Sequence, residues 1–217
     1  SLNKGANLQT LSPDLTNGKK EGDVPFGTIS TLSESPIRFG LLYAGTDDGN
    51  IHISKDGGYS WALVSSKLPK GLWVSRVFAS AHKVGRVYAT LNGYRDDHFK
   101  PYVFVSDDFG ENWKAIASNL PHEPVNVIRE DHKFENTLYV GTDGGLYVSK
   151  DTGASWNIWN KGLPFSIPVH DIAVQERENE LLIGTHGRSI YVADLNELHG
   201  LSPKREPAFR RFAVDED

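Results

Sequence analysis

Three windows of this chain share the pattern S-x-D-x-G-x-x-W: SKDGGYSW from Ser54 to Trp61, SDDFGENW from Ser106 to Trp113 and SKDTGASW from Ser149 to Trp156. Their aspartates, Asp56, Asp108 and Asp151, lie 52 and 43 residues apart. A fourth, worn copy, SLNKGANL, runs from Ser1 to Leu8. Repeats at this period signal a solenoid, a propeller or an array, in which each unit buries its apolar faces against its neighbours. An element present in every unit is scaffold before it is a functional site.

Each window sits between two short apolar runs, as in YVFVSDDFGENWKAI, and so reads as a hairpin turn. The aspartate accepts hydrogen bonds from turn amides. Gly58, Gly110 and Gly153 supply positive φ. Trp61, Trp113 and Trp156 open the next strand with a large apolar surface, and all three are expected to be largely buried. Aligned on these turns, residues 28–65, 74–117, 125–159 and 169–193 form four units of strands A to D, counted from the centre outward. Four-stranded units in series are propeller blades. The fold class is therefore all-β, a propeller of about four four-stranded blades, either complete or part of a larger one. Blades occupy residues 1–200 and a charged tail follows at 201–217.

The fourth unit loses its box to ADLNELHGL and with it a D strand. Leu8 to Leu11 has the form of a D strand. It either pairs beside Ser189 to Ala193 and closes the ring, or completes a blade ahead of the first. The aromatic content of 11% and the 21 glycines fit an all-β chain. A net charge of -5 argues against a nucleic-acid surface. The lack of cysteine rules out disulfides and thiolate sites. No apolar run approaches the roughly 20 residues of a membrane helix. Ser1 is not a natural start and there is no methionine, so the chain reads as a piece of something longer.

Strands alternate in direction, so the B–C and D–A loops share the face that surrounds the start of the inner strands. Three B–C loops there are tight turns; the second is an insertion carrying Tyr94, Arg95, Asp96, Asp97, His98 and Lys100. Long loops of this kind are often functional. Beside it stand the inner-strand residues Ser75, Arg76, Asn126, His170 and Asp171, then Arg129, Asp131 and Gln175 farther in, with His186 and Arg188 in a neighbouring turn. The candidate ligand site is Tyr94, Arg95, Asp96, Asp97 and His98 with His170, Asp171, His186 and Arg188. Trp73 stands where other units have Pro124 and Pro168, as a packing residue or a flat platform.

The motif tests are mostly negative. A glycosidase needs two carboxylates about 5 to 9 Å apart, for which Asp97 and Asp171 are candidates. The H-E-x-x-H zinc pattern is absent. The Asp-rich turns could offer oxygens to Ca²⁺ but lack the spacing of a dedicated calcium loop. No cofactor or metal site is therefore expected.

The three windows resemble the Asp-box of sialidases and sortilin-type receptors. Longer strings, LLYAGTDDGNIHISKDGGYSW, NGYRDDH, PVNVIRED, NTLYVGTDGGLYVSKDTGASW, PVHDIAV and GTHGRSIYVAD, resemble bacterial Asp-box (BNR-repeat) propellers that are called sortilin-like or glycosyl hydrolases. The sialidase arginine signature has no match, and the absence of cysteine separates the chain from eukaryotic sortilins. The resemblance covers nearly all of residues 25–195 and places the chain among the carboxy-terminal blades of a longer exported protein. It implies a binding or interaction module in the periplasm, on the cell surface or secreted. Its partners would be other blades or another protein chain, with a glycan or peptide as ligand. The alternatives are a glycoside hydrolase completed by other blades and a sortilin-like peptide receptor using strand addition.

Overall fold

Short alternating runs bounded by Gly, Asp and Pro favour strands over helices. The computed structural model describes residues 8–18 and 27–200 and the backbone of 210–212. The described strands make four antiparallel sheets of four. Blade one contains β1 (Ile29–Glu34), β2 (Leu42–Thr46), β3 (Ile51–Ser54) and β4 (Ala62–Leu63). Blade two contains β5 (Trp73–Ala79), β6 (Val87–Gly93), β7 (His98–Ser106) and β8 (Lys114–Ala115). Blade three contains β9 (Val125–Glu130), β10 (Leu138–Thr142), β11 (Leu146–Ser149) and β12 (Asn157–Ile158). Blade four contains β13 (Val169–Gln175), β14 (Glu180–Thr185), β15 (Ile190–Asp194) and β16 (Arg210–Phe212). Strand order within each sheet follows the sequence, as in propeller blades.

Among the described residues, three apolar cores join the four blades in turn. Tyr43, Ile51 and Ile53 pack with Val77 and Ala89 between blades one and two. Tyr88, Val103 and Val105 pack with Ile128 and Val140 between two and three. Tyr139, Leu146 and Val148 pack with Ile172 and Ile183 between three and four. Each inner strand also carries a bulge near its start, holding Ser30, Ser75, Asn126 or His170. In the first three blades this extra residue reaches the next inner strand. Ser30 Oγ donates to Val74 O at 2.7 Å, Ser75 Oγ to Val125 O at 2.7 Å and Asn126 Nδ2 to Val169 O at 3.3 Å.

The box turns repeat atom by atom. The serine hydroxyl donates to the aspartate at 2.8, 2.7 and 2.7 Å, and the box glycine N–H donates to that hydroxyl at 2.8 Å in all three. The aspartate accepts a second time from the backbone N–H of Ser60, Asn112 or Ser155. Gly58, Gly110 and Gly153 take φ of 99°, 90° and 81°. The tryptophan indole N–H crosses to the blade before: Trp113 donates to Val64 O at 2.8 Å and Trp156 to Ile116 O at 2.6 Å.

Two sequence expectations need correction. Trp156 is buried, but Trp61 and Trp113 are only partly so. The two turns also differ in the loop before them: the Asn119 side chain clamps both the N–H and the C=O of Trp156. The corresponding residue of the loop before Trp113 is Lys67, which extends to Glu111 O and Asn112 instead. The second correction concerns the D strand of blade four. Leu8–Leu11 form no strand, and Leu8 is exposed. β16 takes the place, pairing Tyr191 with Arg211 and Val192 with Arg210, in the register by which β12 pairs with β11. It lies where the sequence reading places a charged tail. Ser1 to Asn7 of the worn box fall outside the described residues.

Hydrogen bonds to the charged carboxylate hold Asp56, Asp108 and Asp151 at about 2, below the usual 3.8. At Asp56 and Asp151 the largest cause is the hydroxyl of Ser60 or Ser155; at Asp108 it is the backbone N–H of Asn112. A depressed carboxylate stabilises the fold above its unfolded pKa and loses that contribution as pH falls through the folded one. Asp108→Asn is expected to lower the melting temperature at pH 7 and to flatten its fall between about pH 4 and pH 2. Thermal melts across that range check it.

Candidate functional site

The B–C and D–A face is built around an overlong hairpin. β6 and β7 continue past the ends of their neighbours, so the insertion expected as a loop is a strand extension capped by a single 3-10 turn at Tyr94–Asp96. Tyr94 to Lys100 are all exposed. Asn92 Oδ1 accepts from Tyr94 N–H and starts the turn, and Asp97 ends it at φ 52°. Arg95 lies over the Trp73 ring at 5.2 Å, and Tyr94 meets Phe99 edge-on at 6.4 Å. His98 stacks on Tyr102, which stacks on Phe104, at 5.5 and 6.2 Å. Sequence reasoning missed this aromatic strip. The alternation of His98, Lys100, Tyr102 and Phe104 carries the signal only once the strand begins at residue 98.

A second cluster lies on blade four. His170 and His186 pack edge-on at 4.9 Å and both are exposed. His186 holds the turn position of Asp47 and Asp143: its N–H donates to Pro168 O as theirs donate to Thr28 O and Pro124 O. Arg188 is exposed nearby. Asp171 is bound by Arg76 at 2.6 Å, a contact from blade four to blade two along the channel wall. Arg129 donates from Nε to Ile172 O at 2.7 Å and lies over Phe78 at 4.9 Å. Burial, and then repulsion from Arg76, push the Arg129 guanidinium down from its usual range. Among the described residues, no hydrogen bond or ring contact joins the hairpin tip to His170, Asp171, His186 or Arg188. The expected site is thus two clusters flanking an arginine-lined wall.

Several candidates belong elsewhere. Ser75 and Asn126 are buried and spent on the inter-blade bonds described above. Gln175 accepts from Glu178 N–H in the A–B turn. Asp131 lies at the opposite end of β9, fully buried, where it accepts from Tyr139 Oη and the backbone N–H groups of Lys133 and Phe134. His199 Nε2 completes this shell at 2.7 Å. Burial raises the Asp131 pKa, but the bonds from Tyr139, His199 and Lys133 together outweigh it and the net shift is downward. The segment that replaces the fourth box therefore serves to plug His199 under blade three.

The carboxylates of the tight B–C turns are also engaged. Asp47 accepts from Thr28 N–H, Asp48 from Asn17 N–H and Thr46 Oγ1, and Asp143 from Asn126 Nδ2. Two hollows lie between outer strands: one of about 670 Å³ at the box turns beside Trp61 and Phe109, and one of about 560 Å³ beside Tyr102 and Leu120 that reaches this face, where Lys100, Pro69 and His122 line it.

No family model matches the chain. It is 25% identical over 129 residues to a vacuolar protein sorting/targeting protein 10 of Laccaria bicolor, covering 54% of this chain and 8% of that protein. It is 24% identical over 161 residues to an oligoxyloglucan-reducing end-specific xyloglucanase of Emericella nidulans, covering 66% and 19%. In structure it is similar to the GH74 xyloglucanase of Xanthomonas campestris, with a TM-score of 0.64 and 15% identity over 85% of this chain and 30% of that one. It is also similar to the extracellular domain of a one component system of B. thetaiotaomicron, with a TM-score of 0.59 and 14% identity over 91% and 24%. The chain spans less than a fifth of the curated relatives it matches. These likenesses show the β-propeller fold.

Asp131 is a buried charge with every lone pair directed at a donor, so removing its charge should be felt strongly. Asp131→Ala is expected to destabilise the fold by about 3 kcal/mol, the scale for breaking a buried pair by removing one partner. Urea unfolding at pH 7 measures it, with Asp96→Ala, on the exposed tip, expected within about 0.5 kcal/mol of the parent.

Proposed function

We propose that the chain is part of an extracytoplasmic Asp-box β-propeller that binds a ligand or protein partner on its B–C face. The observation that carries this reading is the β6–β7 hairpin. It overshoots the other three B–C turns and presents Tyr94, Arg95, Asp96, Asp97 and His98 to solvent, with Trp73 held flat beneath Arg95. Exposed aromatic and arginine side chains on a rigid strand extension suit recognition better than packing. Across the channel wall, Asp171, His170, His186 and Arg188 supply the second half of the contact surface. The likeness to an extracellular domain supports a place outside the cytoplasm. Among the described residues, no helix is long and apolar enough to cross a membrane.

The xyloglucanase likenesses favour a second reading, a glycoside hydrolase whose site is completed by other blades. Its chemistry needs a protonated carboxyl facing a second carboxylate. Asp171 is engaged by the Arg76 guanidinium at 2.6 Å, and Asp97 stands on an exposed turn with no contact to it among the described residues. These two residues therefore fit recognition of a ligand better than acid catalysis. Screening the purified chain on glycan and peptide arrays identifies the ligand. Asp97→Lys with Asp171→Lys is then expected to weaken binding at least about tenfold, or 1.4 kcal/mol, with the fold retained by circular dichroism. Unchanged affinity in that double variant would refute the site. Release of reducing sugar by the parent chain would favour the hydrolase.

A further inference from the structure

Blade one has a face that its counterparts bury. On β1, Leu32 pairs with Ala44; the same register position is Val77 on β5, Ile128 on β9 and Ile172 on β13. Val77, Ile128 and Ile172 are 1%, 0% and 0% exposed, each covered by the blade before its own. Leu32 is 66% exposed. Across β2, β3 and β4 the same face carries Ala44, His52 and Leu63, paired in register. Leu63 is exposed too, and Nδ1 of His52 is buried without a hydrogen-bond partner among the described residues.

Residues 8–18 lie along the rim of this face, and they repeat the end of a blade. Trp61 Nε1 donates to Leu11 O at 2.9 Å, the bond that Trp113 makes to Val64 O and Trp156 to Ile116 O. A Cβ on Gly58 would lie 3.1 Å from Leu11 Cβ, as one on Gly110 would lie 2.9 Å from Val64 Cβ and one on Gly153 2.9 Å from Ile116 Cβ. Four residues after Leu11 comes buried Leu15. Four after Val64 comes Leu68, and four after Ile116 comes Leu120, both buried. Leu11 thus stands where a blade's outer strand ends, and Leu15 where its D–A turn anchors.

We propose that this face of blade one is the seat of a further propeller blade, whose outer strand is the segment ending at Leu11. Its inner three strands come from additional polypeptide of the same protein. In blade three those strands span Val125–Ser149, far more chain than the seven residues ahead of Leu8. A second copy of this chain is a poor occupant, because its blade four already holds an outer strand, β16, in the position the Leu11 segment would need. What the seat selects is an antiparallel sheet with an apolar face to cover Leu32 and Leu63 and an open edge for the Leu11 segment.

The chain has no cysteine, so Leu32→Cys places a single thiol on the seat. In the 217-residue chain that thiol is expected to react with a maleimide at the rate of a free thiol, in a monomer by sedimentation. A copy of residues 121–155, with its three strands and box, is then placed ahead of Leu8 in exchange for residues 1–7. In this form the same thiol is expected to react at least tenfold more slowly, and Leu11→Asp to restore the fast rate. Three results would overturn the proposal. Protection in the monomeric parent would show the ring closing on itself. Protection only in a discrete dimer would name a second copy as the occupant. A grafted blade that leaves the thiol fast, whether folded or unstructured by circular dichroism, would show that the segment ending at Leu11 is no outer strand.

Discussion

The seam between blades depends on one bond and one missing atom. The indole N–H of a box tryptophan reaches the carbonyl just past the preceding outer strand, and it can do so because the box glycine has no Cβ to hold that segment away. The rest of the turn supports this contact. The serine and aspartate fold the loop so that the glycine N–H faces inward and the ring lies across the gap. The cores on Tyr43, Tyr88 and Tyr139 then close between sheets already held at the rim. The bulge residues Ser30, Ser75 and Asn126 tie the inner strands in the same direction. Each blade is thus joined to the next at its centre and at its edge.

Most of this scaffold was legible in the sequence, because box spacing and strand alternation are local. The inner and middle strands fall close to where the pattern places them. What was not legible depends on contacts distant in the chain. The clamp on the Trp156 backbone depends on an asparagine in the loop of the preceding blade, where the loop before Trp113 has a lysine. The outer strand of blade four comes from Arg210–Phe212, a segment with none of the apolar alternation that marks the others. Asp131 looks like a channel residue from strand parity. It stands just past the end of β9, where the chain has turned away, and its partner His199 is 68 residues on.

The candidate site shows the same division. Its residues follow from asking which loops share a face, and the hairpin tip and blade four do face the same side. The distances between them were beyond the sequence, and so was the conversion of an insertion into strand. That conversion matters chemically. A loop would reorganise on binding and lose entropy, whereas a hydrogen-bonded hairpin presents its side chains already ordered.

The plug made by His199 gives the last seam a different character. Blades one to three are joined at the rim by aromatic rings that can peel one at a time. Blade four is fastened under blade three by one buried bond, from the His199 imidazole to the Asp131 carboxylate that Tyr139 holds in place. A steady pull along such a row would meet a ratchet of small yields from one end and a single stiff latch at the other, so the molecule has a mechanical direction as well as a chemical one.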